Sequence, residues 1–398
     1  MNKFSKIILL ISILFFISGG IYFYIESNRN APYFYESDIN SNPSALSGYQ
    51  ATAKTDSDIS NQRRTVITET VKKVSPAVVG INVIEIRQYQ DPFNPFYNDP
   101  FFRQFFGSRG NIYNQKVKEL GSGYIISPDG YIVTNDHVAG NAAQITVTLT
   151  NGKQFEAKLI GTDHASDISL LKIQGKDLPF VTLGNSDDIM IGEWVIALGN
   201  PFGLFEINDK PTVTVGVISA MGMNLEPIDN RYYLNMLQTD AAINGGNSGG
   251  PLLNSVGEVI GMNTLIYTAG NNQGSIGLGF AIPINKVKRI ITELKENGKI
   301  NRNFDVGLGV QAIDENIAKA YGLPSSKGVI VTQVVPGSPA DKSDIKVRDI
   351  IVEVEKYKIN NEETLISVFQ EFRAGQTIKL KIIRDNKEIE KTMKLERK

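Results

Sequence analysis

The chain has 398 residues, a formal net charge of −1 and no cysteine. This length accommodates two or three domains of about 100–200 residues each. The near-neutral charge gives no reason to expect nucleic acid as a partner, and the lack of cysteine excludes a cysteine protease and a disulfide scaffold. Because there are only 2 histidines and no H-E-x-x-H motif, zinc has no plausible ligands and no metal is predicted.

The N-terminal segment predicts a membrane anchor. Lys3 and Lys6 precede an uncharged apolar run over residues 7–25, and a helix of that length would span about 28 Å, close to the thickness of the bilayer hydrocarbon. The two lysines favour a cytoplasmic location for residues 1–6, with the rest of the chain across the membrane. A cleaved signal peptide is the alternative, since Ser18-Gly19-Gly20 offers the small residues of a cleavage site. The continuation of the apolar run favours an uncleaved transmembrane signal anchor.

Residues 26–63 are polar and lack periodicity, which predicts a flexible linker. A short helix or arm is expected over residues 64–73, followed by a first strand over residues 77–86. The segment 93–106 is too rich in phenylalanine for an inert solvent loop. Two interpretations of it stay open: it packs on its own barrel, or it forms a lid or a contact between subunits.

Short strands separated by turns dominate residues 119–284. Pro128-Asp129-Gly130 and Asn151-Gly152 are strong hairpin signals, and many short strands at this spacing indicate a pair of all-β barrels rather than a parallel sheet with crossover helices. Trp194 is expected in or near the core, and apolar residues at helical spacing predict a helix over residues 285–297. The predicted strands cover residues 123–127, 131–134, 144–149, 154–161, 169–173, 193–198, 212–221, 252–254, 259–265 and 279–281.

His137, Asp167 and Ser248 stand in short motifs in the order of a nucleophilic hydrolase. Serine is a weak nucleophile at neutral pH, so it needs a base within hydrogen-bond reach and a third group that orients the base. The glycines around Ser248 allow the tight turn that aims backbone amides at an oxyanion. Residues 246–250 also fit the G-x-S-x-G elbow of α/β-hydrolases, but that fold places its histidine after the serine, and both histidines precede Ser248. The order His, Asp, Ser belongs to the chymotrypsin-like double barrel.

Several motifs resemble those of the HtrA/Deg family of serine proteases, in the same order along the chain. Besides the three above, they are G-S-G-Y-I-I at 121–126, G-N-P-F-G at 199–203, Q-T-D-A-A-I-N at 238–244 and G-F-A-I-P at 279–283. The resemblance implies a trypsin-like serine protease domain over residues 64–300 that uses no cofactor. The expected fold is mostly β: a chymotrypsin-like double β-barrel followed by an α+β domain, with an N-terminal transmembrane helix.

The family register also implies roles for individual residues. Ser248 is the nucleophile, His137 the general base, and Asp167 the acid that orients the base, whereas Asp136 and Asp163 are not catalytic and His164 is a surface residue. The implied oxyanion hole consists of the backbone amides of Gly246, Asn247 and Ser248. The implied S1 pocket consists of Ala242, Ile243 and Ile266, with no charge that would pair with a basic substrate residue.

Residues 303–396 predict a PDZ domain. The loop Gly307, Leu308, Gly309 and Val310 resembles the carboxylate-binding loop of PDZ domains, which add a peptide as an extra strand and capture its C-terminal carboxylate. Strands are expected at 328–331, 349–354 and 378–384, and a helix at 362–373.

Two departures from the family pattern bear on activation. Residues 204–211 form a longer connection than usual, and Met223 stands where a basic residue often helps to switch the active site on. Arg231 is a candidate substitute for that residue.

The sequence therefore predicts a membrane-tethered, extracytoplasmic serine endopeptidase, expected as a homotrimer. It would cleave unfolded or damaged envelope proteins, or a regulatory membrane substrate, after small aliphatic residues, and C-terminal peptides at the PDZ domain would regulate it. A non-catalytic PDZ-containing chaperone or scaffold is the alternative, and the intact Ser, His and Asp set argues against it.

Overall fold

The structure is a computed structural model that describes residues 64–90, 112–200, 205, 210–266, 277–323 and 325–397. The predicted anchor, the linker up to residue 63, the aromatic segment 93–106 and most of the connection 204–211 lie outside these ranges. Within the described ranges, no helix is both long and apolar enough to cross a bilayer.

A short helix, α1 (Val66–Val74), precedes the first barrel, as predicted. Thr65 caps it and forms a reciprocal capping box with Thr68, which satisfies backbone amides at the helix start. Six strands follow and close into a barrel in the order β1-β2-β3-β6-β5-β4. They are β1 (Val78–Gln90), β2 (Ile112–Ile125), β3 (Tyr131–Thr134), β4 (Gln144–Leu149), β5 (Gln154–Asp163) and β6 (Ile168–Ile173). The short helix α2 (Asp136–Ala139) lies between β3 and β4.

The second barrel is a ring of six strands in the order β11-β8-β9-β10-β13-β12, closed by the pairing of β11 with β12. The short strand β7 (Thr182–Leu183) adds to β12 outside the ring. The ring strands are β8 (Trp194–Gly199), β9 (Thr212–Met223), β10 (Met236–Thr239), β11 (Pro251–Asn254), β12 (Glu258–Ile266) and β13 (Gly279–Pro283). The predicted pair of β barrels is thus confirmed.

Some sequence predictions differ from the structure. Strand β2 begins at Ile112 rather than at residue 123, and β7 and β10 were not predicted. Trp194 was expected in or near the core, but 56% of it is exposed, so that prediction is wrong. It is the first residue of β8, and the buried positions of that strand begin at the next residue.

An apolar core between the two barrels holds them in one arrangement, and the candidate site lies along this core. In β8, Val195 and Ala197 pack inside the second barrel, whereas Ile196 and Leu198 belong to the cluster that contains Tyr124 and other first-barrel residues. Alternate side chains of a strand point to opposite faces, so β8 is buried on both of its faces. Burying apolar surface at about 25 cal/mol per Å² makes this shared core the main force that holds the barrels together.

Helix α3 (Ile284–Asn297) closes this part of the chain, one residue longer at its start than predicted. Its apolar face (Val287, Ile290, Ile291 and Leu294) packs into the same cluster between the barrels. The helix ends at Gly298, which adopts a φ of 71° and donates its amide to Leu294, an arrangement that glycine permits without strain.

The C-terminal module has its own core and a five-stranded path β15-β16-β17-β19-β20. Its strands are β14 (Phe304–Asp305), β15 (Leu308–Ala312), β16 (Val329–Val334), β17 (Ile350–Val354), β18 (Tyr357–Lys358), β19 (Thr377–Arg384), β20 (Lys387–Lys394) and β21 (Glu396–Arg397). Its helices are α4 (Glu315–Ala320), α5 (Pro339–Lys342) and α6 (Glu362–Phe369). Helix α6 ends earlier than predicted, and β15 lies at the edge of the path.

Ion pairs join α3 to the C-terminal module. The Glu371 carboxylate accepts from Lys286 Nζ at 2.5 Å and from Arg289 Nη2 at 2.5 Å, and Arg373 Nε lies 2.9 Å from a Glu293 oxygen. Burial alone would raise the pKa of Glu371, but the charges of Lys286 and Arg289 outweigh burial and hold this pKa below its ordinary value. Glu371 is therefore ionised whenever the chain is near neutral pH, and the two cations stay paired.

The loop that carries Ser248 consists of two consecutive turns. The amide of Asn247 donates to Asn244 at 3.0 Å, and the amide of Gly250 donates to Asn247 at 2.9 Å. The third residue of each turn is a glycine with positive φ, 99° at Gly246 and 83° at Gly249, which defines type II turns. Ser248 thus stands at the second position of a tight turn, where its side chain projects from the loop.

Gly249 is predicted to tolerate no side chain. A Cβ at this position would lie 2.2 Å from the Ser122 carbonyl oxygen, so Gly249→Ala combines backbone strain with a clash. We expect it to lower the free energy of unfolding by about 3 kcal/mol. Gly245→Ala is the matched control, because its Cβ would meet nothing within 4 Å, and its effect should stay within about 0.5 kcal/mol. Denaturant unfolding compares the two variants, and equal effects would contradict this account of the turn.

Candidate active site

His137 and Asp167 meet at the start of α2. The His137 Nδ1 lies 2.9 Å from Asp167 Oδ2, and the backbone amide of His137 donates to Oδ1 at 3.0 Å. The carboxylate thus orients the imidazole and also satisfies an amide in the first turn of α2, which has no partner within the helix. Asp167 follows the 3₁₀ turn His164–Ser166 and adopts the left-handed conformation, with φ 57°.

Asp167 is fully buried and has further donors to compensate for the loss of water. Its Oδ2 accepts from Thr264 Oγ1 at 2.7 Å, from Asn135 Nδ2 at 3.2 Å and from the Tyr233 hydroxyl at 3.3 Å. Burial alone would raise the pKa of Asp167, but the charge of His137 and hydrogen bonds from His137 and Thr264 outweigh burial and hold this pKa below its usual range. Burial also raises the pKa of the Tyr233 phenol, so Tyr233 remains a donor.

The serine loop is fastened to the first barrel through Ser122. The Ser122 hydroxyl donates to the Gly246 carbonyl at 2.5 Å and accepts from the Asn200 amide at 2.7 Å. The Ser122 amide donates to the Ser248 carbonyl at 3.0 Å. One residue of β2 thus holds both the glycine turn and the nucleophile candidate, so the position of Ser248 depends on contacts between the barrels.

The Ser248 hydroxyl donates to the Thr264 carbonyl at 3.0 Å, and among the described residues no hydrogen bond joins it to His137. Of the three predicted oxyanion amides, that of Asn247 already donates within its turn. Those of Gly246 and Ser248 have no acceptor within the described part of the chain. These two amides are the ones available to bind an oxyanion.

The predicted S1 residues do not all line an open space. Ala242 is partly buried, and its carbonyl accepts from Thr214 Oγ1 at 2.8 Å. Ile243 is only 1% exposed and belongs to the core of the second barrel, so its role in S1 stays a prediction. The backbone of Ile266 ends β12 opposite Gly279, whereas its side chain lies outside the described part of the structure.

The predicted carboxylate loop lies at the start of the edge strand β15. Gly307 has a φ of 69°, and its carbonyl accepts from the Val335 amide at 2.9 Å. Leu308 and Val310 pair with Val334 and Val331 on β16, so β16 occupies one edge of β15. The other edge faces α6. An extended peptide can add at this edge.

The residues set aside by the sequence have partners of their own. Asp136 does not bond to His137; it accepts from His164, Thr162 and Arg231. Half of the His164 side chain is exposed, as expected of a surface residue. Asp163 pairs with Arg302 at 2.5 Å, so neither Asp136 nor Asp163 takes the place of Asp167.

Sequence reasoning missed several contributors to the site. Asn135 and Ser122 stand inside motifs that were recognised, so their positions carried a signal that went unused. Thr264 and Tyr233 stand in no such motif, and only the fold brings them to Asp167. Arg231 was considered only as a substitute for an activating residue.

Comparisons with known proteins agree with this geometry. Residues 121–262 match the family profile described as "Trypsin-like peptidase domain", and residues 306–395 match that described as "PDZ domain". A Chlamydia trachomatis protein, "Probable periplasmic serine endoprotease DegP-like", is 44% identical over 306 residues, which cover 76% of this chain and 59% of the relative. The chain thus spans less than two thirds of that relative's length.

Two further matches cover more of the known protein. A protein of the same description from Chlamydia pneumoniae is 40% identical over 367 residues, which cover 87% of this chain and 73% of the relative. A solved structure, "HtrA-type protease AlgW with decapeptide", matches with a TM-score of 0.61 and 33% identity, and covers 84% of this chain and 99% of its own. The chain therefore belongs to the family of DegP-like and HtrA-type serine endoproteases, with a trypsin-like peptidase domain followed by one PDZ domain.

Proposed function

We propose that the protein is an extracytoplasmic serine endopeptidase that cleaves unfolded or damaged envelope proteins through His137, Asp167 and Ser248. The observation that carries this proposal is the buried, ionised Asp167 against His137 Nδ1. An ionised carboxylate only accepts hydrogen bonds, so Nδ1 carries a proton, and in the neutral ring the lone pair then lies on Nε2. His137 is thereby held in the tautomer that a general base requires.

The chemistry follows from this tautomer. On substrate binding, the Ser248 hydroxyl rotates away from the Thr264 carbonyl and transfers its proton to His137 Nε2 as its oxygen attacks the peptide carbonyl carbon. The amides of Gly246 and Ser248 bind the resulting oxyanion, and Asp167 stabilises the imidazolium. His137 then protonates the leaving amine as the peptide C–N bond breaks. In the second half, water attacks the acyl carbon and gives its proton to His137 Nε2, and His137 returns that proton to the Ser248 oxygen as the acyl–oxygen bond breaks.

A non-catalytic chaperone or scaffold is the second candidate. It would place no requirement on the tautomer of His137 or on two unpaired amides beside Ser248. The ionised Asp167 and the two glycine turns favour the protease. Degradation of many damaged proteins and cleavage of one regulatory membrane substrate would employ the same chemistry.

Ser248→Ala should abolish proteolysis, with a loss of about 10⁶-fold in kcat, because the nucleophile is removed. Cleavage of unfolded casein by the full chain measures this, and a fluorophosphonate probe should label the unaltered protein at Ser248 alone. The matched control is Ser325→Ala, an exposed serine of the C-terminal module, which should retain activity. Cleavage by Ser248→Ala within tenfold of the unaltered protein would refute the nucleophile.

The S1 pocket is proposed to accept small aliphatic residues. Ala242 stands six residues before Ser248, at the position where trypsin has the aspartate that pairs with lysine or arginine. Without that charge, burying either cation would cost several kcal/mol. Ile243 and Ile266 would narrow the pocket further.

Mass spectrometry of casein digests should therefore show cuts after Val, Ala, Ile or Thr. Discrimination among them should be weak, since one methylene is worth about 1–3 kcal/mol. Ala242→Asp should add cuts after lysine and arginine. A majority of such cuts with the unaltered protein would rule out this pocket assignment.

The PDZ domain is proposed to regulate the active site through Arg302. The Arg302 guanidinium contacts Asp163 at 2.5 and 2.7 Å and Ser166 Oγ at 3.1 Å, while its Nε donates to the Gln370 carbonyl at 2.7 Å. Gln370 directly follows α6, which packs against β15. Arg302 thus joins the end of α6, the helix that faces the proposed peptide-binding edge of β15, to the turn that precedes Asp167.

Peptides with free, apolar C-termini should bind the amides of Leu308 to Val310 and change the cleavage rate. Titration of the full chain with a peptide acid and with its C-terminal amide tests carboxylate capture, and the amide should bind more weakly. The Arg302→Gln variant should bind the peptide with unchanged affinity, but the bound peptide should no longer change the cleavage rate. Equal affinity for acid and amide would remove carboxylate capture from the account.

The proposed location is supported by the relatives and by the N-terminal sequence. The two Chlamydia relatives are described as periplasmic, which supports an extracytoplasmic protease. The apolar residues 7–25 would tether it to the cytoplasmic membrane, with the catalytic domain outside. We further propose a homotrimer in which the aromatic segment 93–106 contributes contacts between subunits.

A further inference from the structure

A second cluster of ionisable side chains lies behind Asp167. Asp136 Oδ2 accepts from Arg231 Nη2 at 2.9 Å and from His164 Nδ1 at 2.8 Å. The Arg231 Nε donates to the same Asp136 oxygen at 3.2 Å, and it lies 3.4 Å from Asp167 Oδ1 as an ion pair. The proposed mechanism uses none of these three residues, although together they connect Asp167 with the protein surface.

A tight hairpin delivers Arg231 to this position. Ile228 and Arg231 pair through two backbone hydrogen bonds of 3.1 and 2.9 Å, and the two residues between them, Asp229 and Asn230, have φ values of 51° and 59°. Two consecutive positive φ values define a type I′ turn, and aspartate and asparagine tolerate them better than most residues. The sequence of the turn therefore fixes the start of the Arg231 side chain.

The same hairpin docks on the turn that precedes Asp167. The Tyr232 amide donates to the Ala165 carbonyl at 2.8 Å, and His164 Nε2 lies 2.8 Å from the Asp229 carbonyl. Both ring nitrogens of His164 therefore face acceptors. His164 thus bridges Asp136 and the hairpin.

Burial increases from the surface inward along this cluster. The side chain of His164 is 50% exposed, that of Arg231 11%, that of Asp136 5% and that of Asp167 0%. Two carboxylates that approach each other in the interior need a cation between them. Two fixed donors of the planar Arg231 guanidinium bind Asp136, which sets the distance of the cation from Asp167 more firmly than a lysine ammonium would.

We propose that Arg231, clamped by Asp136 and His164, is a positioning residue that fixes the Asp167 carboxylate toward His137. This inference rests on the proposed protease function. Arg231 touches neither substrate nor the reacting atoms; it acts through Asp167. His164 secures the hairpin at its solvent side, and Asp136 neutralises the guanidinium so that the cation does not disfavour the imidazolium of His137.

The cluster has an electrostatic signature that packing alone would not produce. Arg231 and Asp136 carry opposite charges on the same side of the Asp167–His137 pair. Removing the cation should favour the protonated base, and removing the anion should disfavour it. The acid limb of the pH–rate profile, which reports the base of the free enzyme, should therefore move in opposite directions in the two variants.

Other ionisable groups stay constant in this comparison. Tyr233 faces Asp167 as a neutral donor, and Asp229 is in the hairpin itself. Helix α2 packs against β1, β2, β5, β6 and the turn before Asp167. The ionisable residues whose side chains are described on these strands are Glu85, Glu119, Tyr124, Glu156, Lys158, Asp163 and Lys172.

The test uses the full chain and measures the rate of fluorophosphonate labelling of Ser248 between about pH 5 and 9, together with kcat and KM for a peptide substrate. The variants are Arg231→Gln, Arg231→Lys and Asp136→Asn. Arg64→Gln is the matched control, since Arg64 is exposed and contacts only Glu69 among the described residues. Thermal unfolding of each variant checks that it is folded.

Arg231→Gln should lower kcat by about 10- to 100-fold with little change in KM. Its acid limb should move to higher pH by about half a unit, while that of Asp136→Asn moves to lower pH. Arg231→Lys should restore the position of the limb and part of kcat, because it keeps the charge but not the fork. Arg64→Gln should match the unaltered protein.

Three results would overturn the inference. The first is a kcat of Arg231→Gln within about threefold of the unaltered protein. The second is an acid limb of the pH–rate profile that stays in place in Arg231→Gln and Asp136→Asn or moves in the same direction in both. The third is an Arg231→Lys variant that restores neither the limb nor kcat. If Arg231→Gln does not fold, the positions of the acid limb in Asp136→Asn and Arg231→Lys test the inference instead. Failure of the inference alone leaves labelling of the unaltered protein intact, whereas absence of that labelling would sink both the proposed function and this inference.

Discussion

The rest of the site depends on one carboxylate that must stay ionised without contact with water. An unpaired charge of this kind would cost several kcal/mol even after relaxation, so the fold has to supply donors from many directions. The donors around Asp167 come from α2, from β12 through Thr264, and from the segment before β10 through Tyr233. The two barrels contribute together, which explains why the acid lies at their junction.

The nucleophile candidate obeys a different constraint. Ser248 needs two unpaired amides beside it, and unpaired backbone amides are unfavourable unless the surrounding structure enforces them. Glycines with positive φ supply the turn, and Ser122 holds it from the other barrel. The candidate base and nucleophile are therefore positioned by different contacts, and Thr264 belongs to both sets: its hydroxyl binds Asp167 and its carbonyl accepts from Ser248.

The sequence predicted whatever depends on local chemistry. The order of His137, Asp167 and Ser248 predicted the candidate site, and Gly130 and Gly152 indicated turns between strands. Strand β10 went unpredicted because it has four residues and pairs with β9 through register shifts, which leaves too little periodicity. Asp136 was set aside as the catalytic acid, and it does not bond to His137. Its burial with Arg231 could not be foreseen, because 95 residues separate them along the chain and the docked hairpin brings them together.

The turn before Asp167 is where these constraints meet. Asp167 adopts a left-handed conformation, which costs a residue with a side chain about 1 kcal/mol or more, so the turn must be held from outside. Arg302 holds it through Asp163 and Ser166, and the hairpin holds it through Ala165 and His164. Both attachments act on the residues that set the direction of the acid, and among the described residues neither forms a hydrogen bond with the serine loop. Any signal that travels through Arg302 would therefore reach the orientation of His137 before it reached Ser248, so the proposed PDZ regulation would govern the base rather than the nucleophile.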